Sequence, residues 1–283
     1  MRVVSLGSGS SGNALFVQTG RASVLIDAGF NRRTLVSRLR QAGAQPARLS
    51  AILLTHEHHD HACGAAALAS QFGIPLISDP RTLRAVLAHP SAADLPGQPV
   101  ERLELPAGRE TRLNDVLIRS FPVSHDAVAP CGYVISTGAW SVCVAIDTGE
   151  VAEPALDAMR LAHLLVVEAN HDVERLRMGP YPWHLKRRIL NPTGHLSNDQ
   201  AAQALGQVLD DGPRWVWLAH LSRTNNTPDL ARTAVRDQLR SWGLGHVALS
   251  VAPPGMGPVW DSAALWETVT QPVLLHDRTG SAG

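Results

Sequence analysis

The stretch that most limits what this chain can become is residues 51–61, AILLTHEHHDH, in which an apolar run passes directly into four histidines, a glutamate and an aspartate. A packed core cannot absorb such a cluster, because buried polar and charged groups are costly unless each finds a partner. AILLT reads as a buried strand, and the strand must open onto something that needs these side chains. Extended residues two apart point to one side, so His56 and His58 aim together while Glu57 and His59 face elsewhere. Asp60 and His61 fall where the chain turns into the helical pattern HACGAAALASQ. Two imidazoles at one point, with a carboxylate and an imidazole at its neighbour, suit two metal ions better than one.

Two ions need further donors. His125 ends IRSFPVSHDA, Asp147 ends the apolar run of WSVCVAIDTG, and His220 ends RWVWLAH. Each alone has a plainer reading, His125 as a capping histidine and Asp147 as a turn residue. Taken together they complete two shells: His56, His58 and His125 around one ion, Asp60, His61 and His220 around the other, with Asp147 bridging. All seven are nitrogen or oxygen donors, which fits zinc, manganese or iron and excludes a thiolate-dominated site. Cys63, Cys131 and Cys143 have no CxxC spacing and read as reduced core thiols.

Short apolar runs broken by glycine recur through the first half, and strands alternate with helical patterns from about residue 153. This pattern predicts an α/β chain, an αββα sandwich of two mixed sheets with helices on the outer faces and loops gathered at one edge. A hydrophobic content of 45% over 283 residues is ample for one large core. We expect one domain over residues 1–268 and a loosely held tail over 269–283. The formal net charge is +0, so a polyanion would have to be gripped by a local patch. The start, MRVVSLGSGSSGN, has no apolar leader, and no apolar run reaches the length of a membrane span, which makes a cytoplasmic location the default expectation.

THEHHDH, followed by VSHD, IDTG and LAHLS, resembles the metallo-β-lactamase fold superfamily, and the likeness spans nearly the whole chain. SLGSGSSGNALFV, LIDAGF, EANHD, YPWHLKRRI, GHLSNDQAA and LAHLSRTNN are similar to the YycJ/WalJ-like branch, whose members are metal-dependent nucleases acting from the 5′ end of DNA. The resemblance implies a 5′-3′ exodeoxyribonuclease with DNA as its partner, double-stranded with an accessible 5′ end being the preferred reading. Oligomeric state stays open. His59 departs from the pattern, since relatives commonly carry a smaller or polar residue there.

A pair of divalent ions can present a hydroxide between them as the nucleophile, and Asp60 counts among the catalytic groups as their ligand. The leaving oxygen still needs a proton. Ser197 and Gln200 form a capping box, which puts His195 just ahead of a helix N-terminus, where it can protonate a leaving group or bind phosphate. Glu168 ends the strand HLLVVE and resembles the glutamate that supports a catalytic histidine in ribonuclease Z-type enzymes, so it is paired with His195 as orienter. The roles of His171 and Asp172 stay open.

For substrate contacts, Tyr181, Trp183, Lys186, Arg187 and Arg188, with Arg175 and Arg177 nearby, give the mixture of cations and aromatics that suits phosphates beside stacked bases. A merely solvated basic face is the competing reading. Ser222, Arg223, Asn225 and Asn226 precede a helix and suggest a phosphate pocket, and Asn13 in the glycine-rich hairpin turn would lie near the metals. Two other functions remain in view: a small-molecule ester or thioester hydrolase of lactonase or glyoxalase type, and a non-hydrolytic metal-binding regulator of nucleic acid.

Overall fold

The computed structural model describes residues 1–265 except Ala93, Asp94, Pro96 and Pro213, so the expected tail at 269–283 and the last three residues of the expected domain lie outside the described residues. The glycine-bounded apolar runs of the first half become β1 (Arg2–Gly7), β2 (Ala14–Gln18), β3 (Ser23–Ile26), β4 (Ala51–Leu53) and β5 (Leu76–Ser78), joined by the edge strand β6 (Arg102–Glu104). The second half supplies β7 (Glu110–Leu113), β8 (Val116–Pro122), β9 (Cys131–Ser136), β10 (Ser141–Ala145), β11 (Leu164–Glu168), β12 (Trp215–Ala219) and β13 (Ala248–Val251). A last strand, β14 (Val259–Asp261), returns to pair antiparallel with β1 and completes the first sheet.

Both sheets are mixed. β1, β2 and β3 run antiparallel and β3 to β6 parallel; likewise β7 to β10 run antiparallel and β10 to β13 parallel. The helices are α1 (Arg32–Gln41), α2 (His59–Ala62), α3 (Ala65–Phe72), α4 (Pro80–Ala88), α5 (Glu153–Arg160), α6 (Val173–Met178), α7 (Trp183–Ile189), α8 (Asn198–Val208) and α9 (Pro228–Ser241). Strand alternation sorts the side chains into three layers. Leu15, Val17, Val24, Ile26, Val142, Val144, Leu164 and Val166 meet between the sheets. Phe16 and Leu25 face outward onto Leu35, Leu39 and Leu68 of α1 and α3, while Cys143, Leu165 and Val167 face α5, α8 and α9. The result is the expected αββα sandwich.

Three local features differ from expectation. β6 and β7 carry exposed, charged residues and leave no apolar signature, as befits sheet edges. HACGAAALASQFG is two helices, not one: the turn starts at His59 and breaks at Gly64, whose N–H donates to the Ala28 carbonyl. A Cβ at Gly64 would collide with the Phe30 carbonyl, so only glycine lets α2 press against the loop that leaves β3. Cys131 and Cys143 are core thiols as expected, but Cys63 is half-buried at the surface.

Candidate metal centre

The parallel strands of both sheets end at one edge, and β8 runs the same way as β10 because two antiparallel steps separate them. Asp27 leaves β3, His56 follows β4, His125 follows β8, Asp147 follows β10, Glu168 ends β11 and His220 follows β12. α2 adds His58 at its N-cap and Asp60 and His61 within. Three of these residues sit in the left-handed region, Asp27 at φ 59°, Asp147 at φ 52° and His220 at φ 53°. Such a conformation costs roughly 1–2 kcal/mol for an L-residue, and its concentration here shows a backbone bent to aim side chains.

The donor atoms of His56, His58 and His125 lie within 4.8 Å of one another, as do those of Asp60, His61, Asp147 and His220. Asp147 faces both groups: its Oδ2 is 2.6 Å from His61 Nε2 and 3.4 Å from His56 Nε2, and its Oδ1 is 2.6 Å from His220 Nδ1. His220 Nε2 is 3.5 Å from Asp60 Oδ2.

Four histidines have Nδ1 engaged elsewhere. Thr55 Oγ1 meets His56 at 3.0 Å, Asp27 Oδ2 meets His61 at 2.8 Å, the Gly194 carbonyl meets His125 at 3.1 Å, and Glu168 Oε1 meets His220 at 2.9 Å. Such outer partners fix the tautomer and leave Nε2 as the ligand. His56 Nε2 and His220 Nε2 are buried with no hydrogen-bond partner, orphans that a pair of cations would satisfy. The donor set and these orphans fit two divalent ions of the zinc, manganese and iron type.

The electrostatics are those of a carboxylate-rich pit. Burial disfavours a charged His61, yet Asp147 and Asp27 outweigh it and push its pKa up to about 10. The same contest leaves His220 well above the ordinary histidine range. Burial likewise opposes a charged Asp147, but His220 and His61 hold it well below the carboxylate range. His56, where burial and its His61 neighbour act together, is held well below the ordinary value.

Asp27 is not singled out as a site residue by the sequence, although it ends an apolar strand as Glu168 does. Its Oδ1 accepts from the Thr55 N–H at 2.9 Å and Oδ2 meets His61, so one carboxylate sets the loop carrying His56 and the ring of His61. Asn13 lies as expected, with Nδ2 2.9 Å from His61 Nε2.

His195 stands beside the pit. Its Nδ1 is 2.7 Å from Glu168 Oε1, the same oxygen that meets His220, and Glu168 Oε2 accepts from the Thr148 N–H at 2.8 Å. The capping box between Ser197 and Gln200 fixes the start of α8 just beyond it. Burial works against charge on His195, but Glu168 and Asp147 push its pKa up to about 9. His171 is fully buried with neither ring nitrogen partnered, and burial lowers its pKa to about 4. Asp172 caps α6 through the Arg175 N–H.

A cleft opens over the centre, lined by Ser10, Asp126, Tyr181, Arg188, His195 and Ser222 among others. Arg188 Nε is 2.6 Å from Asp126 Oδ2. Trp183 is 65% exposed, Lys186 reaches back to the Arg177 carbonyl, and Arg187 and Arg223 are exposed, Arg223 donating to Ser11 Oγ. The expectation for Asn225 and Asn226 is corrected: both are buried, and the Asn226 amide is spent on the Ala169 carbonyl and on Asn198, so it braces the loop from below. Glu57 lies outside the donor groups and accepts from the Val128 N–H.

In fold, the chain resembles the crystal structure of the metallo-β-lactamase fold protein YhfI from Bacillus subtilis, with TM-score 0.68 at 19% identity over 92% of this chain and 98% of that one. This fold and a histidine-aspartate centre at the strand edge define a metallo-β-lactamase-fold hydrolase. The family described as Beta-lactamase superfamily domain matches residues 22–221. Exodeoxyribonuclease WalJ of Streptococcus pneumoniae serotype 2 is 38% identical over 240 residues, 85% of this chain and 88% of that protein. Exodeoxyribonuclease YycJ of Bacillus anthracis is 37% identical over 240 residues, 85% and 89% of the two chains. The chain belongs to the β-lactamase superfamily, in the group that holds WalJ and YycJ.

Proposed function

We propose that this protein is a metal-dependent 5′-3′ exodeoxyribonuclease. The observation that carries the reading is His195, held by Glu168 at 2.7 Å beside the seven-residue donor cluster and lining the cleft with Arg188 and Tyr181. The names of its relatives support DNA as substrate and exonucleolytic attack. Two divalent ions held by His56, His58, Asp60, His61, His125, Asp147 and His220 would supply a water deprotonated near neutral pH and charge to balance the phosphate.

The chain's own residues do the rest. When the bond between phosphorus and the 3′ oxygen breaks, that oxygen needs a proton, and His195, whose pKa Glu168 and Asp147 raise against the effect of burial, is the group beside the cluster suited to give it. Glu168 keeps the ring in place and shares its oxygen with His220, so the proton donor and the ligand are set by one side chain. Arg188 and Tyr181 are placed to meet a phosphate and a base along the strand, with Trp183, Lys186, Arg187, Ser222 and Arg223 around the rim. No described helix is long and apolar enough to cross a membrane, and we take the cytoplasm to be where DNA is met.

The cleft would also admit a small ester or thioester, a chemistry that has no evident use for His195. The test incubates metal-loaded protein with 5′- and 3′-end-labelled duplex and single-stranded DNA, beside a lactone and a thioester. Early release of mononucleotide from the 5′ label, dependent on Mn²⁺ or Zn²⁺, is expected, with His195→Ala lowering turnover by roughly 10²-fold or more at unchanged metal content. Ester turnover without DNA cleavage would contradict the proposal.

A further inference from the structure

Many surface arginines of this chain are matched by an acid, as Arg119, Arg160, Arg177 and Arg232 are by a neighbouring carboxylate. α1 is built differently. No Asp or Glu occurs from Ala28 to His56, a stretch that carries five arginines. Arg38 is committed, donating to the Leu6 carbonyl and lying over the Phe30 ring. Arg32, Arg33 and Arg40 are exposed, and their side chains make no ion pair or hydrogen bond among the described residues. They line one shallow depression with Ser37, Gln41 and Gln71, the last from α3. Arg33, Ser37 and Arg40 stand at i, i+4 and i+7, hence on one face, over about 10 Å of helix. Arg32 and Arg33 also open the helix, where the macrodipole disfavours cations and no acid offsets them. Local stability gives no reason for arginines at that end.

The helix start lies close to the centre. The Gly29 N–H donates to the Asn13 carbonyl, the Asn13 N–H donates to the Asp60 carbonyl, and a Cβ on Gly29 would overlap that same Asp60 carbonyl. Arg32 follows three residues later, so its Cα is at most about 11 Å from that of Gly29. Ser10 of the glycine-rich turn lines the cleft, while a Cβ on Gly12 of the same turn would strike Phe30. The turn therefore has the cleft on one side and the approach to α1 on the other. We propose that the arginine face of α1 is a second grip on DNA, holding backbone phosphates of the part that is retained after the cut. That the phosphates belong to DNA rests on the proposed function. An exonuclease working from the 5′ end has one nucleotide on the departing side, so backbone beyond the cleft belongs to the retained chain or its complement. Arginine, serine and glutamine are side chains that meet phosphate oxygens, and such contacts carry no sequence information, which suits an enzyme that must accept each new end. With Val36 as its one apolar residue, the depression has little to offer a peptide side chain or a lipid tail.

The test compares wild type with the triple variant Arg32→Gln, Arg33→Gln and Arg40→Gln. A control triple, Arg102→Gln, Arg109→Gln and Arg112→Gln, removes the same charge from exposed positions around β6 and β7. Binding of a long duplex with phosphorothioate linkages at its ends, which resist cutting, is followed by anisotropy on metal-loaded protein across a salt series. The α1 variant is expected to bind about tenfold or more weakly at low salt, with its log-log salt slope flattened by about two to three units, and the control to bind as wild type. Metal content and melting temperature should match wild type. Turnover of the dinucleotide pdTpdT, which has no phosphate on the retained side beyond the scissile one, should be unchanged, while KM for long DNA rises. Wild-type affinity and slope in the α1 variant, or an equal loss in the control, overturns the grip. If labelled DNA is cut but the α1 variant binds as wild type, the grip falls alone; if DNA is bound and not cut, and only the α1 variant loses it, the nuclease reading falls and the grip stands.

Discussion

Asp27 shows how much of the centre depends on residues outside the donor groups. Its carboxylate holds the Thr55 backbone and the His61 ring from a left-handed conformation that costs free energy by itself. Asp27→Asn keeps the shape and removes the charge. It is expected to weaken the ion on the Asp60, His61 and His220 side by about 10- to 100-fold in a metal titration, leaving the three-histidine side much less affected. Equal affinity at both would make Asp27 a backbone brace only. Asp27 is hidden in the sequence because a lone acid in LIDAG reads as a turn, whereas HEHHDH cannot be explained as packing. Asn225 and Asn226 mislead for the opposite reason: polar residues ahead of a helix look like surface, and nothing in LSRTNN shows that the loop folds over their amides.

α6 and α7 form the basic rim, and the structure ranks their cations. Arg188 lines the cleft and is tied to Asp126, while Lys186 and Arg187 stand outside it. Replacing Lys186, Arg187 and Arg188 together should weaken DNA binding and flatten its dependence on salt by about one unit of log-log slope for each phosphate that is no longer neutralised. Binding and slope that do not change would make this a solvated face. The elements that strand and helix periodicity made legible were those with a buried face, such as β4, β10 and α1. Those it missed have none: β6 and β7 are exposed edges, and the break between α2 and α3 comes from the close approach of Gly64 to the β3 loop, where distant parts of the chain meet.

Across the whole molecule, the two sheets repeat one plan, antiparallel then parallel, and bring their strand ends to one edge where both contribute ligands. Two mixed sheets with loops gathered at one edge were legible in the sequence; the strand order was not, nor was the return of β14 to β1, where only Trp260 of three residues is buried. Burying His171 ties stability to pH. Its pKa falls from 6.5 to about 4, so between these values the unfolded chain takes up a proton that the folded one refuses. Stability from this residue is therefore present above pH 6.5 and lost as pH falls towards 4, by up to about 3 kcal/mol. His171→Leu should reduce the loss of melting temperature over that window relative to the parent, and equal slopes would show that His171 is not the group responsible.

The central claim is that seven side chains from both halves hold a metal pair that drives phosphodiester cleavage, and Asp147, facing both donor groups, tests it most directly. Metal content per chain and degradation of 5′-labelled DNA are measured together on wild type and Asp147→Ala after chelation and reloading with Mn²⁺ or Zn²⁺. The account predicts that reloading restores two ions and activity to the wild type, and that the variant loses both bound metal and activity. A variant that binds less metal yet degrades DNA at the wild-type rate would contradict it.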